Sequence, residues 1–215
     1  MHCEVAFEAS VGGGIPIIVP LKHSLISNEV SSILGIVNGT TNYILTLMAE
    51  SGINYSDALA LAQEKGFAEA DPTADVDGLD AAAKIAILAS IAFNTRITMD
   101  QVYHEGIRLI LPTDLTAAQD MGYCVKLLAL ANRTDEGIDV RVHPTMVPLD
   151  HPLAAVNGVD NAIYVKGDAV GETMFYGEGA GAGPAASAVM GYVLATSRRL
   201  HAGCQPFVGR TCTDT

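Results

Sequence analysis

The pattern of apolar and polar positions divides the chain into segments with extended or helical periodicity. Residues 123–132 (YCVKLLALAN) and 138–147 are typical of two consecutive strands, and the polar turn RTDEG joins them. Further strands are predicted over residues 5–10, 30–37, 162–165 and 172–176. Helices are predicted over residues 17–26, 55–64, 79–93, 115–121 and 184–199, and over a segment that Thr40 or Thr41 caps and that ends near residue 50.

The order of these segments indicates the fold class. Helices dominate the first half and antiparallel strands the second, so we predict an α+β fold with helices packed on one face of a mixed, largely antiparallel sheet. Residues 1–200 are predicted to form one domain, and the weakly periodic residues 201–215 a loose tail.

Composition narrows the possible partners. Apolar residues make up 49% of the 215 positions and tryptophan is absent, so Ala, Val, Ile and Leu must form most of the core. A net charge of −12 argues against nucleic acid or an anionic membrane as a partner, because both attract basic surfaces. The chain has neither a signal-peptide pattern nor an apolar run of the roughly 20 residues that a membrane span requires.

The four cysteines are predicted to be reduced thiols. Cys3, Cys124, Cys204 and Cys212 stand far apart, without a CxxC pair or the spacing of zinc ligands. A cytoplasmic location is therefore the expectation.

An acidic segment precedes the most apolar predicted helix. Five carboxylates lie within twelve residues: Glu69, Asp71, Asp75, Asp77 and Asp80. The helix over residues 79–93 is expected to be buried on all sides, yet it carries Lys84 four residues after Asp80, on the same face. This pair is either a structural ion pair or part of a site that holds a substrate ammonium or moves a proton. An EF-hand calcium loop is excluded, because Thr73 and Lys84 would occupy its first and twelfth positions.

A glycine-rich turn, YGEGAGAGP, precedes the last predicted helix. Glycines let a backbone approach a ligand closely, and the helix N-terminus offers N–H groups to an anion. The spacing does not match GxGxxG, so a tight packing turn and phosphate contact both remain open as interpretations.

Four segments together resemble the homoserine dehydrogenase family. They are FEASVGGGIPII (7–18), GIVNGTTNYIL (35–45), GFAEADPTADVDGLDAAAK (66–84) and GEGAGAGPAASAV (177–189). The resemblance implies reversible oxidation of L-homoserine to L-aspartate 4-semialdehyde with NAD or NADP, a step of threonine and methionine biosynthesis.

The resemblance also implies roles for individual residues. Glu69 and Asp80 would bind the substrate's amino and hydroxyl ends, Lys84 would shuttle the hydroxyl proton, and Asp75 would support the site. Gly179 and Thr40 would contact the cofactor. Main-chain oxygens of Glu8, Val11, Gly13 and Ile15 would bind a monovalent cation, which is usually sodium in the family.

The chain also departs from the family pattern. Family members begin with a nucleotide-binding domain, and a second family lysine lies upstream of the FEAS segment; neither is expected in these residues. The alternative function is therefore a non-catalytic dimerising or small-molecule-binding domain from the same family. We predict a homodimer, because few helices remain to cover the apolar strands of the second half.

Overall fold

A six-stranded mixed sheet forms the centre of the protein. The computed structural model describes residues 5–203. Cys3 lies outside these residues, and so does the predicted tail apart from residues 201–203. The strands are β1 (Val30–Ile36), β2 (Tyr103–His104), β3 (Tyr123–Thr134), β4 (Gly137–Pro148), β5 (Asp160–Gly167) and β6 (Gly171–Glu178). The sheet order is β2-β4-β3-β1-β5-β6. All neighbouring strands are antiparallel except β2 and β4, which run parallel.

Within residues 5–203, six α-helices accompany the sheet: α1 (Gly39–Ser51), α2 (Tyr55–Glu64), α3 (Thr73–Val76), α4 (Leu79–Phe93), α5 (Pro112–Asp120) and α6 (Ala182–His201). The predicted α+β class is confirmed. The bounds of α2 and α4 agree with the prediction, because their ends carry clear signals. Asn54 caps α2, and Asn94 ends α4 in a left-handed conformation with φ of 52°.

Alternation along β3 shows how the sheet is covered. Leu127, Ala129 and Ala131 belong to the main core, which α1, α2 and α4 share with the sheet. Leu128 and Leu130 point to the opposite side, which we call the outer face. There they join Ile36 and Ala162 beneath Leu153 and Val156 of the connection before β5. Residues 127–131 of this strand are all apolar because both faces of the strand are buried there.

One element predicted near the N-terminus is wrong, and the next is shorter than predicted. The segment predicted as a strand over residues 5–10 contains instead a 3-10 turn, Glu8–Ser10, and no strand. The helix predicted over residues 17–26 is a shorter structure that ends in a π-helical turn, Pro20–Ser24. The Glu8 carboxylate accepts hydrogen bonds from the N–H groups of Ile17 (2.5 Å), Ile18 (2.6 Å) and Val19 (2.9 Å). Tertiary capping therefore determines both elements, and periodicity does not reveal it.

Other elements escape the sequence prediction or are longer than predicted. The two-residue strand β2 and the four-residue helix α3 are too short to give a periodic signal. The strands β3 to β6 and helix α6 extend slightly beyond their predicted ends, and α5 begins earlier than predicted, at Pro112. Across residues 5–203, no helix is long and apolar enough to cross a membrane.

Candidate active site

A cavity of about 620 Å³ lies where β1 leads into α1, beside the start of α4 and the glycine turn after β6. It brings together six of the ten site residues predicted above: Thr40, Glu69, Asp75, Asp80, Lys84 and Gly179. These residues come from three separate segments of the sequence, 35–45, 66–84 and 177–189. The cavity is the setting in which their chemistry must be considered.

The Asp80–Lys84 pair lies on the first turns of α4. Lys84 Nζ donates to Asp80 Oδ2 at 2.6 Å and to the Val37 main-chain oxygen at 2.9 Å. The side chains keep 21% and 30% of their surface exposed for Lys84 and Asp80 respectively. The expectation of a cation enclosed in a helix buried on all sides is therefore wrong: the ammonium is partly solvated at the edge of the cavity. Such a position suits a group that must meet a substrate.

Asn38 holds two of the carboxylates together. Its Nδ2 donates to Asp75 Oδ1 at 2.7 Å and to Asp80 Oδ2 at 2.9 Å. Its Oδ1 accepts from the Thr41 N–H at 2.9 Å and so caps α1. The sequence prediction assigns this cap to Thr40 or Thr41 and does not identify Asn38. The strong N-cap preference of asparagine could have indicated the cap, but not the two carboxylate partners.

Thr40 fixes the loop that carries Glu69. Its Oγ1 donates to the Phe67 main-chain oxygen at 2.7 Å. The Glu69 side chain is exposed, and among the described residues no hydrogen bond or ion pair occupies its carboxylate. Its negative charge therefore remains available to a ligand in the cavity.

Two of the five clustered carboxylates serve structure instead. Asp77 forms an ion pair with Arg108, whose second nitrogen also lies 3.3 Å from Thr73 Oγ1. Asp71 accepts from the Thr73 N–H at 3.1 Å, and hydrogen bonds from the Thr73 side chain and backbone lower the pKa of its carboxyl group. The acidic cluster thus divides into three residues that line the cavity and two that shape its loop.

The glycine turn packs against two neighbours so closely that a side chain cannot be added. A Cβ on Gly179 would overlap Asn161 Nδ2, and one on Gly13 would lie 2.5 Å from the Gly179 oxygen. Asn161 is 1% exposed and lines the cavity, yet its Oδ1 has no hydrogen-bond partner within residues 5–203. An orphaned acceptor beside a bare backbone turn suits a ligand, or a closing movement, that supplies a donor.

The four residues predicted to bind a cation lie in the loop that contacts this turn. Gly12 and Gly13 adopt φ of 71° and 55°, which glycine permits without strain. Within the described chain, the carbonyl groups of Val11, Gly13 and Ile15 accept no hydrogen bond. Residues 5–203 also contain no cluster of three or more His, Cys, Asp or Glu side chains that could hold a metal ion. Any cation in the loop would therefore depend on carbonyl oxygens.

Comparisons with known proteins identify the family. Residues 16–194 match the sequence model of the homoserine dehydrogenase family. A homoserine dehydrogenase of Mycobacterium tuberculosis is 54% identical over 202 residues, which cover 92% of this chain and 46% of the relative. The chain thus spans about half the length of the relatives that it matches.

Solved structures agree with the sequence comparison. The crystal structure of a homoserine dehydrogenase from Thiobacillus denitrificans aligns with a TM-score of 0.91 and 45% identity, covering 96% of this chain and 48% of that one. A hyperthermophilic archaeal homoserine dehydrogenase in complex with NADPH aligns with a TM-score of 0.77 and 29% identity, covering 95% and 56%. The chain belongs to the homoserine dehydrogenase family.

Proposed function

We propose that this chain supplies the substrate-binding and catalytic region of an enzyme that interconverts L-homoserine and L-aspartate 4-semialdehyde with NAD or NADP. The observation that carries the proposal is the meeting of Glu69, Asp80 and Lys84 in one cavity that the glycine turn borders. An amino alcohol needs an anion for its ammonium and a proton carrier for its hydroxyl, and these side chains provide both. The pathway would be threonine and methionine biosynthesis.

Substrate recognition would depend on the carboxylates. Glu69 has a free carboxylate for the substrate ammonium, and Asp80, held by Asn38 and Lys84, would face the hydroxyl end. Asp75 would act indirectly, by fixing Asn38 through their 2.7 Å hydrogen bond. Charge-assisted hydrogen bonds of this kind contribute about 1.5–3 kcal/mol each.

Lys84 would transfer the hydroxyl proton. As an ammonium paired with Asp80, it can give a proton to the aldehyde oxygen during reduction. As an amine, it would take that proton back during oxidation of the alcohol. The Val37 carbonyl and Asp80 orient Nζ for both directions.

The chemistry that a bound NAD(P) would supply is that of a hydride acceptor for the alcohol and a hydride donor for the aldehyde. Gly179 and Asn161 would hold its nicotinamide end, because the turn has no side chain to obstruct it and Asn161 Oδ1 lacks a donor. Thr40 would contribute by position more than by its hydroxyl hydrogen, which the Phe67 carbonyl already accepts.

We also propose that a monovalent cation, sodium by family resemblance, binds the main-chain oxygens of Glu8, Val11, Gly13 and Ile15. The carbonyl groups of Val11, Gly13 and Ile15, which accept no hydrogen bond within residues 5–203, support the proposal, whereas that of Glu8 accepts from the Val11 N–H at 3.4 Å. A cation there would stiffen the loop that packs against Gly179. Replacing sodium with choline should therefore weaken cofactor binding and leave helical content unchanged by circular dichroism.

A homodimer across the outer face is a further part of the proposal. Leu128 and Leu130 are already buried within the chain and cannot form the interface. Support comes instead from β6, where Met174 and Tyr176 are 39% and 56% exposed on the outer face. Sedimentation should show a dimer at micromolar concentration. A monomer would contradict the interface.

The test of function separates catalysis from binding alone. The natural full-length polypeptide that contains these residues should form reduced nicotinamide from L-homoserine, but not from 4-hydroxybutanoate, which lacks the amino group. Glu69→Gln should raise the KM for L-homoserine about tenfold, since a charged hydrogen bond is lost. Glu64→Gln, at an exposed glutamate that ends α2, is the matched control. Homoserine binding without any turnover would instead support the non-catalytic alternative.

A further inference from the structure

Lys126 on β3 is a buried cation that the proposed mechanism does not use. It is 3% exposed, and no carboxylate of the described residues forms an ion pair with it. Burying an ammonium without a carboxylate is costly unless hydrogen bonds replace its water. Burial is also the main reason why the pKa of Lys126 lies below the ordinary lysine value.

Three neutral oxygens satisfy this ammonium. Nζ donates to Val156 O at 2.6 Å, to Asn157 Oδ1 at 2.8 Å and to Asn42 Oδ1 at 3.2 Å. An ammonium has three N–H donors, so every donor has an acceptor. Lys126 therefore cannot bind a further anion, and its effect must pass through these partners.

The partners belong to α1 and to the 156–160 segment that leads into β5. Asn42 Nδ2 donates to the carbonyl oxygens of Val156 and Asp160, both at 3.1 Å. Thr46 Oγ1 accepts from the Gly158 N–H at 3.2 Å. Lys126 thus completes a set of polar contacts that fastens the whole segment to one face of α1.

The fastened segment forms one wall of the candidate active site. Val159, Asp160 and Asn161 line the cavity, and Asn161 is the residue against which Gly179 packs. A Cβ on Gly39 would lie only 2.7 Å from the Val159 oxygen, so the wall also touches the first residue of α1. A shift of the 156–160 segment would therefore move Asn161 and the glycine turn relative to Thr40.

We propose that Lys126 is a positioning residue, which sets the wall formed by residues 159–161 for the nicotinamide end of the cofactor without touching substrate or cofactor. This inference rests on the function proposed above. It predicts an effect at Asn161 and the glycine turn, while Glu69, Asp80 and Lys84, which have no contact with Lys126 or its partners, keep their arrangement.

The test uses Lys126→Met in the natural full-length polypeptide. The KM for NAD(P) should rise about fivefold or more, whereas the KM for L-homoserine at saturating cofactor should change less than about twofold. Hydrogen exchange should become faster in residues 156–161 and stay unchanged in α4. Lys166→Met, at an exposed lysine on β5 that pairs with Glu172, is the matched control. It should change neither the KM values nor the hydrogen exchange of residues 156–161.

A second variant covers the case in which Lys126→Met fails to fold. Asn157 is exposed, so Asn157→Ala removes one acceptor with little effect on the core and should give smaller changes in the same direction. Faster exchange with unchanged KM values would make Lys126 a purely structural residue and overturn the inference. Unchanged exchange in both variants would overturn it as well. Absence of turnover in the wild type would instead count against the proposed function. Hydrogen exchange would then still show whether Lys126 holds residues 156–161 in place.

Discussion

At the scale of single residues, Asn38 bridges two carboxylates with a neutral amide. Asp75 and Asp80 accept from the same amide nitrogen at 2.7 and 2.9 Å, while the Lys84 ammonium pairs with Asp80 alone at 2.6 Å. Like charges at such separations repel, and the two N–H groups of the amide offset that repulsion. The geometry of the site therefore depends on a neutral side chain.

Replacing Asn38 with serine separates this role from helix capping. The serine hydroxyl would retain a capping oxygen for the Thr41 N–H, but it cannot donate to both carboxylates. We expect Asn38→Ser to lower kcat/KM about tenfold while the melting temperature falls only slightly. Asn54→Ser is the control, since the exposed Asn54 caps α2 in the same way, away from the cavity. Equal activities of the two variants would show that Asn38 is only a cap.

The residues of the site differ in how far sequence can predict them. Asp80 and Lys84 are predictable because both lie on one helix, four positions apart in an otherwise apolar run. Asn38 and Asn161 act through partners distant in the chain, so no local pattern distinguishes them from ordinary turn residues. Family resemblance supplies Glu69 and Gly179, which spacing alone does not single out.

At the scale of elements, the short helix α3 keeps its place because another segment presses on it. The Ile107 N–H donates to the Val76 oxygen at 2.8 Å. A Cβ on Gly106 would overlap the same oxygen and would lie 2.6 Å from the Asp77 Cα. Both contacts are with backbone, which cannot swing aside as a side chain would. This close approach fixes the helix that carries Asp75.

Gly106→Ala should therefore destabilise the protein by about 1–3 kcal/mol, because α3 must move. Urea unfolding measures the change. Gly191→Ala, in the exposed middle of α6 with nothing within 4 Å of the added Cβ, should instead stabilise by about 0.5–1 kcal/mol. If both variants were equally stable, the close approach would not constrain α3.

The β5–β6 pair contains a tyrosine with an unusual titration. A hydrogen bond with Glu172 is the main cause that raises the pKa of Tyr164 to about 12, and burial adds to it. The folded protein thus holds this proton more tightly than the unfolded chain does. The resulting stability is fully present below pH 10 and is lost as the pH rises through about 12.

Absorbance of tyrosinate measures this directly. The difference between titrations of wild type and Tyr164→Phe should show a single group with a pKa of about 12. Glu172→Gln should lower that pKa toward the ordinary tyrosine value, since the carboxylate is the main cause. A difference titration near the ordinary value in the wild type would contradict the assignment.

Elements with a periodic signal and clear caps can be predicted from sequence, as α2 and α4 show. The segment over residues 5–10 cannot, because its conformation follows from Glu8 accepting hydrogen bonds from the amides of residues 17–19. Likewise α3 has four residues and depends on the Gly106 contact. Tertiary contacts override local preference at these places.

At the scale of the whole molecule, the sheet and α4 act as a frame that leaves the cavity at one end. The main core buries most of α4. Only the first turns of this helix reach the cavity, where they present Asp80 and Lys84. Since Lys84 is partly exposed, its removal should cost the fold little, in contrast to loss of a fully buried ion partner. Chemistry and stability are therefore separable at this residue.

The most direct measurement of the central claim is the turnover number of Lys84→Met in the natural full-length polypeptide. Methionine keeps the aliphatic bulk, and Asp80 keeps its hydrogen bond with Asn38. We predict a turnover number lower by about a hundredfold, as loss of a general acid–base group requires, with near-normal melting and homoserine affinity. Lys166→Met, the matched exposed lysine, should retain wild-type turnover. A Lys84→Met protein that melts normally and turns over at the wild-type rate would contradict the proton-transfer role and with it the proposed active site.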